Sequence, residues 1–164
     1  MEIEDLHIDL PEKMSAEIGD KIQFFLRSNA DQQMRFVIFL SQQIDFSVMK
    51  RAMRVTIYNE PIFSYTYKED IKNAYWQKEK KIDSSLMSDL IETDNVLAEV
   101  NRFMTLSISP FDFPLVNVRI IRTGRKDVIG INMNHTPTDG AGLKKFVKIL
   151  ASNYNNLLEN PYYQ

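Results

Sequence analysis

The spacing of apolar residues changes several times along the chain, and each spacing predicts a different element. Residues 34–40, MRFVIFL, are nearly all apolar and predict a strand buried on both faces. Residues 63–68, FSYTYK, alternate aromatic and polar positions and predict a half-exposed strand, and residues 74–81 give a weaker strand signal. Residues 115–122 and 128–134 flank the turn TGRKD and predict an antiparallel hairpin.

Three further stretches carry apolar residues three or four positions apart, as on one face of a helix. The first helix is expected to begin at Asp45 or Ser47, since either side chain can cap it. The second is expected to begin at Thr93 or Asp94, and the third follows Gly140. The apolar positions of the three stripes are Met49, Ala52, Met53 and Thr56; Val96, Leu97, Val100, Phe103 and Met104; and Leu143, Phe146, Val147, Leu150 and Tyr154.

The predicted order is strand, helix, two strands, helix, hairpin, helix. This order favours an α/β sandwich with a mixed, largely antiparallel sheet covered by helices, because the helices are too few for a regular parallel sheet. We expect an irregular N-terminal arm over residues 1–33, in which residues 15–28 are ambiguous between a short helix and a loop. One subdomain is expected over residues 34–158, followed by the start of a linker or tail over 159–164.

Composition narrows the classes of function. A net charge of −2 leaves no basic footprint for a nucleic-acid partner. The absence of cysteine excludes disulfides, thiolate metal sites and a cysteine nucleophile. The N-terminal sequence is acidic and predicts no signal peptide, and no stretch approaches the ~18 apolar residues of a membrane span. A cytoplasmic protein without a membrane partner is therefore expected.

The candidate chemistry lies in residues 131–146, INMNHTPTDGAGLKKF. His135 follows the last predicted strand in a loop, where reactive groups concentrate, and an imidazole can serve as a general base near neutral pH. The alternative is a packed histidine, since its position continues the apolar face of the strand. A metal site is not expected, because His135 and Asp139 supply two ligands at most and catalytic zinc usually takes three. The residues that share the strand parity of His135 are Ile129, Ile131 and Met133.

The segment NHTPTDG, residues 134–140, resembles the His-His-x-x-x-Asp-Gly active-site motif of the condensation-domain superfamily. That superfamily includes chloramphenicol acetyltransferase, carnitine acyltransferases and the condensation domains of nonribosomal peptide synthesis. Residues 44–67 resemble its first helix and the strand that follows, and residues 109–150 resemble the segment around its active site. The resemblance extends over residues 34–158, and the order of these blocks makes it more specific than the motif alone.

The resemblance implies a chloramphenicol acetyltransferase-like fold and an acyltransferase. By position, His135 would be the general base that deprotonates a hydroxyl or amine acceptor, which attacks an acyl thioester of coenzyme A or of a carrier-protein phosphopantetheine. Asp139 would shape the loop, Gly140 would be the motif glycine at the turn into the helix, and Asn134 stands in place of the first histidine. No permanently bound cofactor is implied. The alternative is a non-catalytic condensation-like module that binds a carrier protein or another partner.

The sequence departs from the superfamily pattern in two further ways. The arginine expected in the strand after the first helix falls at Ser64, so Asp139 needs another partner. Arg119 and Arg122 are the candidates, of which strand parity allows one. The usual enzyme also has two similar halves around a tunnel, and this chain corresponds to the N-terminal half. We therefore expect it to work with a C-terminal half or as a homo-oligomer, with the fragment favoured.

A group of lysines on the last predicted helix is a possible contact for the phosphates of coenzyme A or of a carrier. Exposed helix lysines are more often solvated than bound to a ligand. These residues are Lys144, Lys145 and Lys148.

Overall fold

The strands of the computed structural model, which describes residues 10–70 and 73–163, are divided between two sheets. A three-stranded antiparallel sheet has the order β1-β4-β3, and a four-stranded sheet has the order β2-β7-β6-β5. The second sheet is mixed, because β5 runs parallel to β6 while its other pairs are antiparallel. The strands are β1 (Lys13–Ser15), β2 (Gln33–Phe39), β3 (Tyr65–Glu69), β4 (Ala74–Lys78), β5 (Ser88–Glu92), β6 (Val116–Thr123) and β7 (Lys126–Asn134).

Four helices pack on these sheets: α1 (Ile18–Leu26), α2 (Phe46–Asn59), α3 (Val96–Met104) and α4 (Gly140–Glu159). The Asp45 carboxylate accepts from the backbone amides of Ser47 and Val48, which confirms one of the two predicted caps. Neither predicted cap of α3 is the observed one, because Asn95 caps the helix and Thr93 instead accepts from the Asn95 amide.

The β6–β7 hairpin is confirmed, and its two faces are covered by different helices. On one face, Val118 and Ile131 join the main core with side chains of α2 and α4. On the other face lies α3, where the ring of Phe103 sits so close to Gly130 that a Cβ there would be 2.7 Å from it. The α/β sandwich with helices over a largely antiparallel sheet is thus confirmed. The site loop follows β7, which lies between the helices α2 and α4 on one face of the sheet and α3 on the other.

Two predictions about strand burial are wrong. Strand β2 is not buried on both faces, because it forms an edge of its sheet, where Phe36 and Phe39 remain 41% and 64% exposed. Strand β3 is not half-exposed, since its first three residues are buried. Tyr67 stacks on Phe24 of α1, and its backbone amide donates to the Pro110 carbonyl, so a helix and a loop cover this strand.

The predicted boundary at residues 33 and 34 does not divide the described chain. Strand β1 pairs with β4, and Phe24 of α1 is 3% exposed within the same core as the helices that follow. Residues 15–28, which the sequence left ambiguous between a short helix and a loop, contain α1. The part of the arm over residues 1–9 lies outside the described residues. Near the other end, the Tyr163 hydroxyl donates to Asn153 of α4, so the tail packs back on its helix.

Candidate active site

The candidate loop, residues 135–139, joins the end of β7 to the start of α4. The last residue of the strand, Asn134, is buried, and its side-chain amide forms hydrogen bonds both to the loop and to a neighbouring segment. Its Nδ2 donates to the Ile108 carbonyl at 2.7 Å, and its Oδ1 accepts from the Thr136 amide at 2.8 Å. A primary amide can donate and accept in this way at once. Asn134 thus ties the loop to the neighbouring segment and sets the first turn after the strand.

His135 is held through its backbone, whereas its ring makes no hydrogen bond to any of the described residues. The backbone amide donates to the Gln32 carbonyl at 2.9 Å, and the His135 carbonyl accepts from Thr138. The ring nitrogen Nδ1 is buried and unpartnered, although the residue as a whole is partly exposed. A packed histidine with a satisfied nitrogen, the alternative reading of the sequence, is therefore not what the structure contains.

Unpartnered buried polar atoms recur around this loop. Besides Nδ1 of His135, they include Oγ1 of Thr136 and Oε1 of Gln32, the residue that accepts the His135 backbone bond. Buried polar groups in folded proteins are nearly always hydrogen-bonded, and a catalytic role or a bound water is among the explanations for an exception. The start of the loop is therefore the part of the motif best suited to meet a polar ligand group.

Asp139 is exposed and shapes the start of α4. One carboxylate oxygen accepts from the Gly142 amide at 2.8 Å, and the backbone carbonyl accepts from Leu143. The bond from the Gly142 amide lowers the pKa of the Asp139 carboxyl. The carboxylate therefore acts as a helix cap, which is the local role that its position before α4 favours.

Neither candidate arginine pairs with Asp139, which corrects that prediction. The Arg119 guanidinium bonds Asp89 and Glu99 at 2.6–2.9 Å. Arg122 bonds Asp127, whose carboxylate is fully buried. Each guanidinium is already committed to a carboxylate nearer its own strand, so the N-terminal amide of α4 satisfies Asp139 instead.

Ser64, which replaces the expected arginine, lies at a position with no room for a long charged side chain. It is fully buried, and its hydroxyl donates to the Pro61 carbonyl at 2.6 Å. The Ser64 hydroxyl thus satisfies a backbone carbonyl three residues earlier in the chain.

The close backbone approach in the loop involves Gly142 rather than Gly140. A Cβ at Gly142 would lie 1.9 Å from the Thr138 hydroxyl oxygen, whereas one at Gly140 would meet nothing within 4 Å. Gly140 is the first residue of α4 and does not have positive φ. The spacing of the two glycines gave no means of telling them apart, because the contact depends on how the loop folds over the helix.

One of the three lysines of α4 is paired with a carboxylate, and the other two are exposed. Lys145 forms an ion pair of 2.6 Å with Glu60, and Lys144 and Lys148 are exposed. No group of three or more histidine, aspartate or glutamate side chains with metal-binding geometry occurs among the described residues. Within the same ranges, none of the helices is both long and apolar enough to cross a membrane.

A separate cleft of about 380 Å³ opens beside the opposite face of the hairpin, and His135 does not line it. Its walls include Asn117 of β6, Asn132 of β7 and residues 106–109 and 112–114 of the segment that precedes β6. The two asparagines occupy paired positions in the β6–β7 register. Sequence reasoning missed them, because only the register shows that they are neighbours.

No protein-family model matches the chain, and no curated protein sequence is similar to it. Solved structures do match. The starter condensation domain of the rhizomide synthetase RzmA superposes with a TM-score of 0.74 at 12% identity, over 90% of this chain and 38% of that one. A condensation domain that mediates chain release from the enacyloxin polyketide synthase matches with a TM-score of 0.67 at 10% identity, over 88% and 30% of the two chains.

A third match is the X-domain from teicoplanin biosynthesis, solved in complex with OxyB. Its TM-score is 0.71 at 11% identity, over 90% of this chain and 34% of that one. That complex shows a domain of this fold bound to another protein. This chain thus spans 30–38% of the length of these structures. The architecture, the strand order and these superpositions together show that the chain has the fold of the condensation-domain superfamily.

Proposed function

We propose that this chain carries the general base of an acyltransferase of the condensation type, and that the base is His135. The observation that supports it is the unpartnered imidazole at the start of the β7–α4 loop, in a chain with this fold and with the spacing NHTPTDG. The donor would be an acyl thioester of coenzyme A or of a carrier-protein phosphopantetheine, and the acceptor a hydroxyl or an amine.

In the proposed reaction, a ring nitrogen of neutral His135 accepts the proton of the acceptor O–H or N–H. The acceptor oxygen or nitrogen then forms a bond to the thioester carbonyl carbon. The tetrahedral intermediate collapses with cleavage of the C–S bond, and the departing thiolate takes the proton from the imidazolium. The products are an ester or amide and a free thiol, and the histidine returns to its neutral form.

The surrounding contacts support this role by restraining the loop. Asn134 fixes the residue before the histidine, and the Gln32 carbonyl fixes its backbone amide. Asp139 caps α4 at the end of the loop, so hydrogen bonds restrain the loop at both of its ends. Catalytic groups are most effective when such contacts hold them in place before substrate arrives.

The proposal includes a second contribution to the site. The chain spans 38% of the length of the RzmA condensation domain that it matches. The other wall of the site would come from further residues of the same protein or from a second copy of this chain. Residues of that second wall, together with residues of this chain, would determine which acyl group and which acceptor are used.

A second function is favoured by one specific observation. No side chain among residues 10–70 and 73–163 bonds either ring nitrogen of His135, so no carboxylate orients the imidazole as in many histidine bases. Under this alternative the fold binds a partner protein without turnover. The teicoplanin X-domain, solved with OxyB bound, is a precedent for binding by this fold.

An acceptor-dependent thiol-release assay separates the two functions. The complete gene product is supplied with a panel of acyl-coenzyme A and acyl-pantetheine thioesters, with amines and alcohols as acceptors. Turnover that requires both donor and acceptor, and that falls by about 100-fold or more in His135→Ala, supports the transferase. Binding of a carrier protein without thiol release for any pair would support the binding module instead.

A further inference from the structure

Strand β2 forms an edge of the four-stranded sheet, and β7 is its one neighbouring strand among the described residues. The Leu40 amide, one residue after β2, donates to the Asp127 carbonyl. The Gln32 carbonyl, one residue before β2, accepts from His135. The even-numbered residues between them therefore direct their backbone groups toward β7, and the odd-numbered residues direct theirs away from it.

Three backbone amides at the outer edge of β2 have no hydrogen-bond partner within the described parts of the chain. They belong to Arg35, Val37 and Phe39. The remaining outward amide, that of Gln33, donates to Asp31 at 3.1 Å. An edge of this kind can accept one more strand, to which three residues offer both an amide and a carbonyl.

The side chains at this edge are apolar on both faces of the sheet. Phe36 lies on the core face and is 41% exposed, while Phe39 lies on the other face and is 64% exposed. Proteins that remain monomeric usually protect an edge strand with lysine, proline or a bulge. Strand β2 contains neither lysine nor proline, its register with β7 is continuous, and its one charged side chain, Arg35, bonds Asp31 of its own chain. The strand therefore lacks the usual protection against pairing with another strand.

We infer that β2 is a dimerisation edge, which pairs antiparallel with β2 of a second copy of this chain about a two-fold axis at Val37. In this register the two Val37 residues exchange two hydrogen bonds, and Arg35 of each copy exchanges two with Phe39 of the other. All three outward amides and carbonyls of each copy are then satisfied. An axis one residue earlier in the strand would place the Phe39 carbonyl opposite the Gln33 amide, which already donates to Asp31.

The side chains favour the same partner. The register sets Phe36 of one copy opposite Ile38 of the other on the core face, and Phe39 opposite Arg35 on the other face. Aromatic and β-branched cross-strand pairs stabilise antiparallel strands, and no like charges meet in this register. The proposed function allows a second copy as the source of the other wall of the site, but the pairing rests on β2 alone, so either can fail without the other.

Sedimentation velocity of the full chain, from about 5 µM to about 500 µM, tests the oligomeric state. One pair of strands is a small interface, so we expect a weak dimer with a Kd on the order of 50 µM. The mass should rise from 19.2 kDa toward twice that value and level off there, because a two-fold pairing uses the β2 edge of each copy once. A monomer over the whole range, or a mass that exceeds two copies, would overturn the inference.

Two charged substitutions at exposed phenylalanines locate the interface. Phe39→Lys places an ammonium group opposite Arg35 of the second copy and should raise the Kd by at least about tenfold. Phe25→Lys introduces the same charge at a phenylalanine of α1 that is 73% exposed, and should leave the Kd unchanged. An unchanged Kd in Phe39→Lys, or an equal rise in both variants, would overturn the inference.

Single cysteines test the register, since the chain contains no cysteine of its own. Val37→Cys should form a disulfide-linked dimer on oxidation, because the two copies of a residue at the axis have Cα atoms about 5.5 Å apart. Phe36→Cys should not, because its two copies would lie diagonally across the strands, about 7–8 Å apart. Cross-linking through residue 36, or none through residue 37, would overturn the proposed pairing.

Discussion

The side-chain amide of Asn134 donates to the backbone carbonyl of Ile108 at a distance of 2.7 Å. Two residues earlier on the same face of β7, Asn132 makes the equivalent bond to the carbonyl of Leu106. Together these asparagines tie the strand that carries the candidate base to residues 106–108. The position of His135 therefore depends on a contact that lies on the opposite side of the strand from the main core.

Replacement of Asn134 by alanine should destabilise the fold, because it leaves the Ile108 carbonyl and the Thr136 amide without their partners. The expected loss is about 1–3 kcal/mol of unfolding free energy, measured by urea denaturation. Asn101→Ala, which removes an exposed asparagine, should change stability by less than about 0.5 kcal/mol. Equal losses in the two variants would contradict the role given to Asn134.

The glycines of the loop should respond in opposite ways to alanine. Gly142→Ala places a Cβ 1.9 Å from the Thr138 hydroxyl and should lower the unfolding free energy by about 1–3 kcal/mol. A Cβ at residue 140 meets no atom within 4 Å, and alanine forms helix more readily than glycine. Gly140→Ala should therefore be neutral or stabilise by up to about 1 kcal/mol.

A double-mutant cycle checks the cause of the Gly142 effect. In a Thr138→Ala background the hydroxyl is absent, and the cost of Gly142→Ala should fall by at least about 0.5 kcal/mol. An unchanged cost in that background would assign the effect to some contact other than Thr138.

The pair of Arg122 and Asp127 should dominate the acid sensitivity of the hairpin. Burial alone would raise the pKa of Asp127, but the hydrogen bonds from Arg122 and from the Ile44 amide outweigh it and lower the pKa below 3.8. A carboxyl whose folded pKa is depressed stabilises the fold above its unfolded pKa. That contribution is lost as the pH falls through the folded pKa.

Asp127→Asn should therefore cost about 3–5 kcal/mol at neutral pH, since it leaves the Arg122 charge unpaired beside a fully buried position. Its unfolding free energy should also vary less with pH below about 4 than that of the wild type. Asp31→Asn breaks an exposed ion pair with Arg35 and should cost less than about 1 kcal/mol. Parallel pH profiles for the wild type and Asp127→Asn would contradict this account.

The elements with long, regular patterns could be predicted from the sequence. Val116, Val118 and Ile120 alternate because one face of β6 packs on the core, and α2 shows its cap and its stripe for the same reason. The apolar run of β2 led to the wrong prediction that both its faces are buried, because hydrophobicity alone does not distinguish a central strand from an edge strand. Strand β5 was missed because SDLIE is short, and its pairing with β6 is a tertiary contact.

The candidate site could be predicted in part. The motif located His135 and Asp139 on one loop, but it could not supply their partners. Arg119 is committed to Glu99, twenty residues away on α3, and that helix position is not visible in the local pattern. The neighbouring amides of Asn117 and Asn132 depend in the same way on strand register, which the hairpin prediction did not specify residue by residue.

The proposed base is tested most directly by comparing two single-histidine variants of the complete gene product, since the chain contains only His7 and His135. Acyl transfer from a thioester to an acceptor is measured by product mass under saturating conditions, after circular dichroism confirms that both variants are folded. We expect His135→Ala to lower kcat by about 100-fold or more, and His7→Ala to remain within about threefold of the wild type. Activity of His135→Ala within about threefold of the wild type would contradict the assignment of the base.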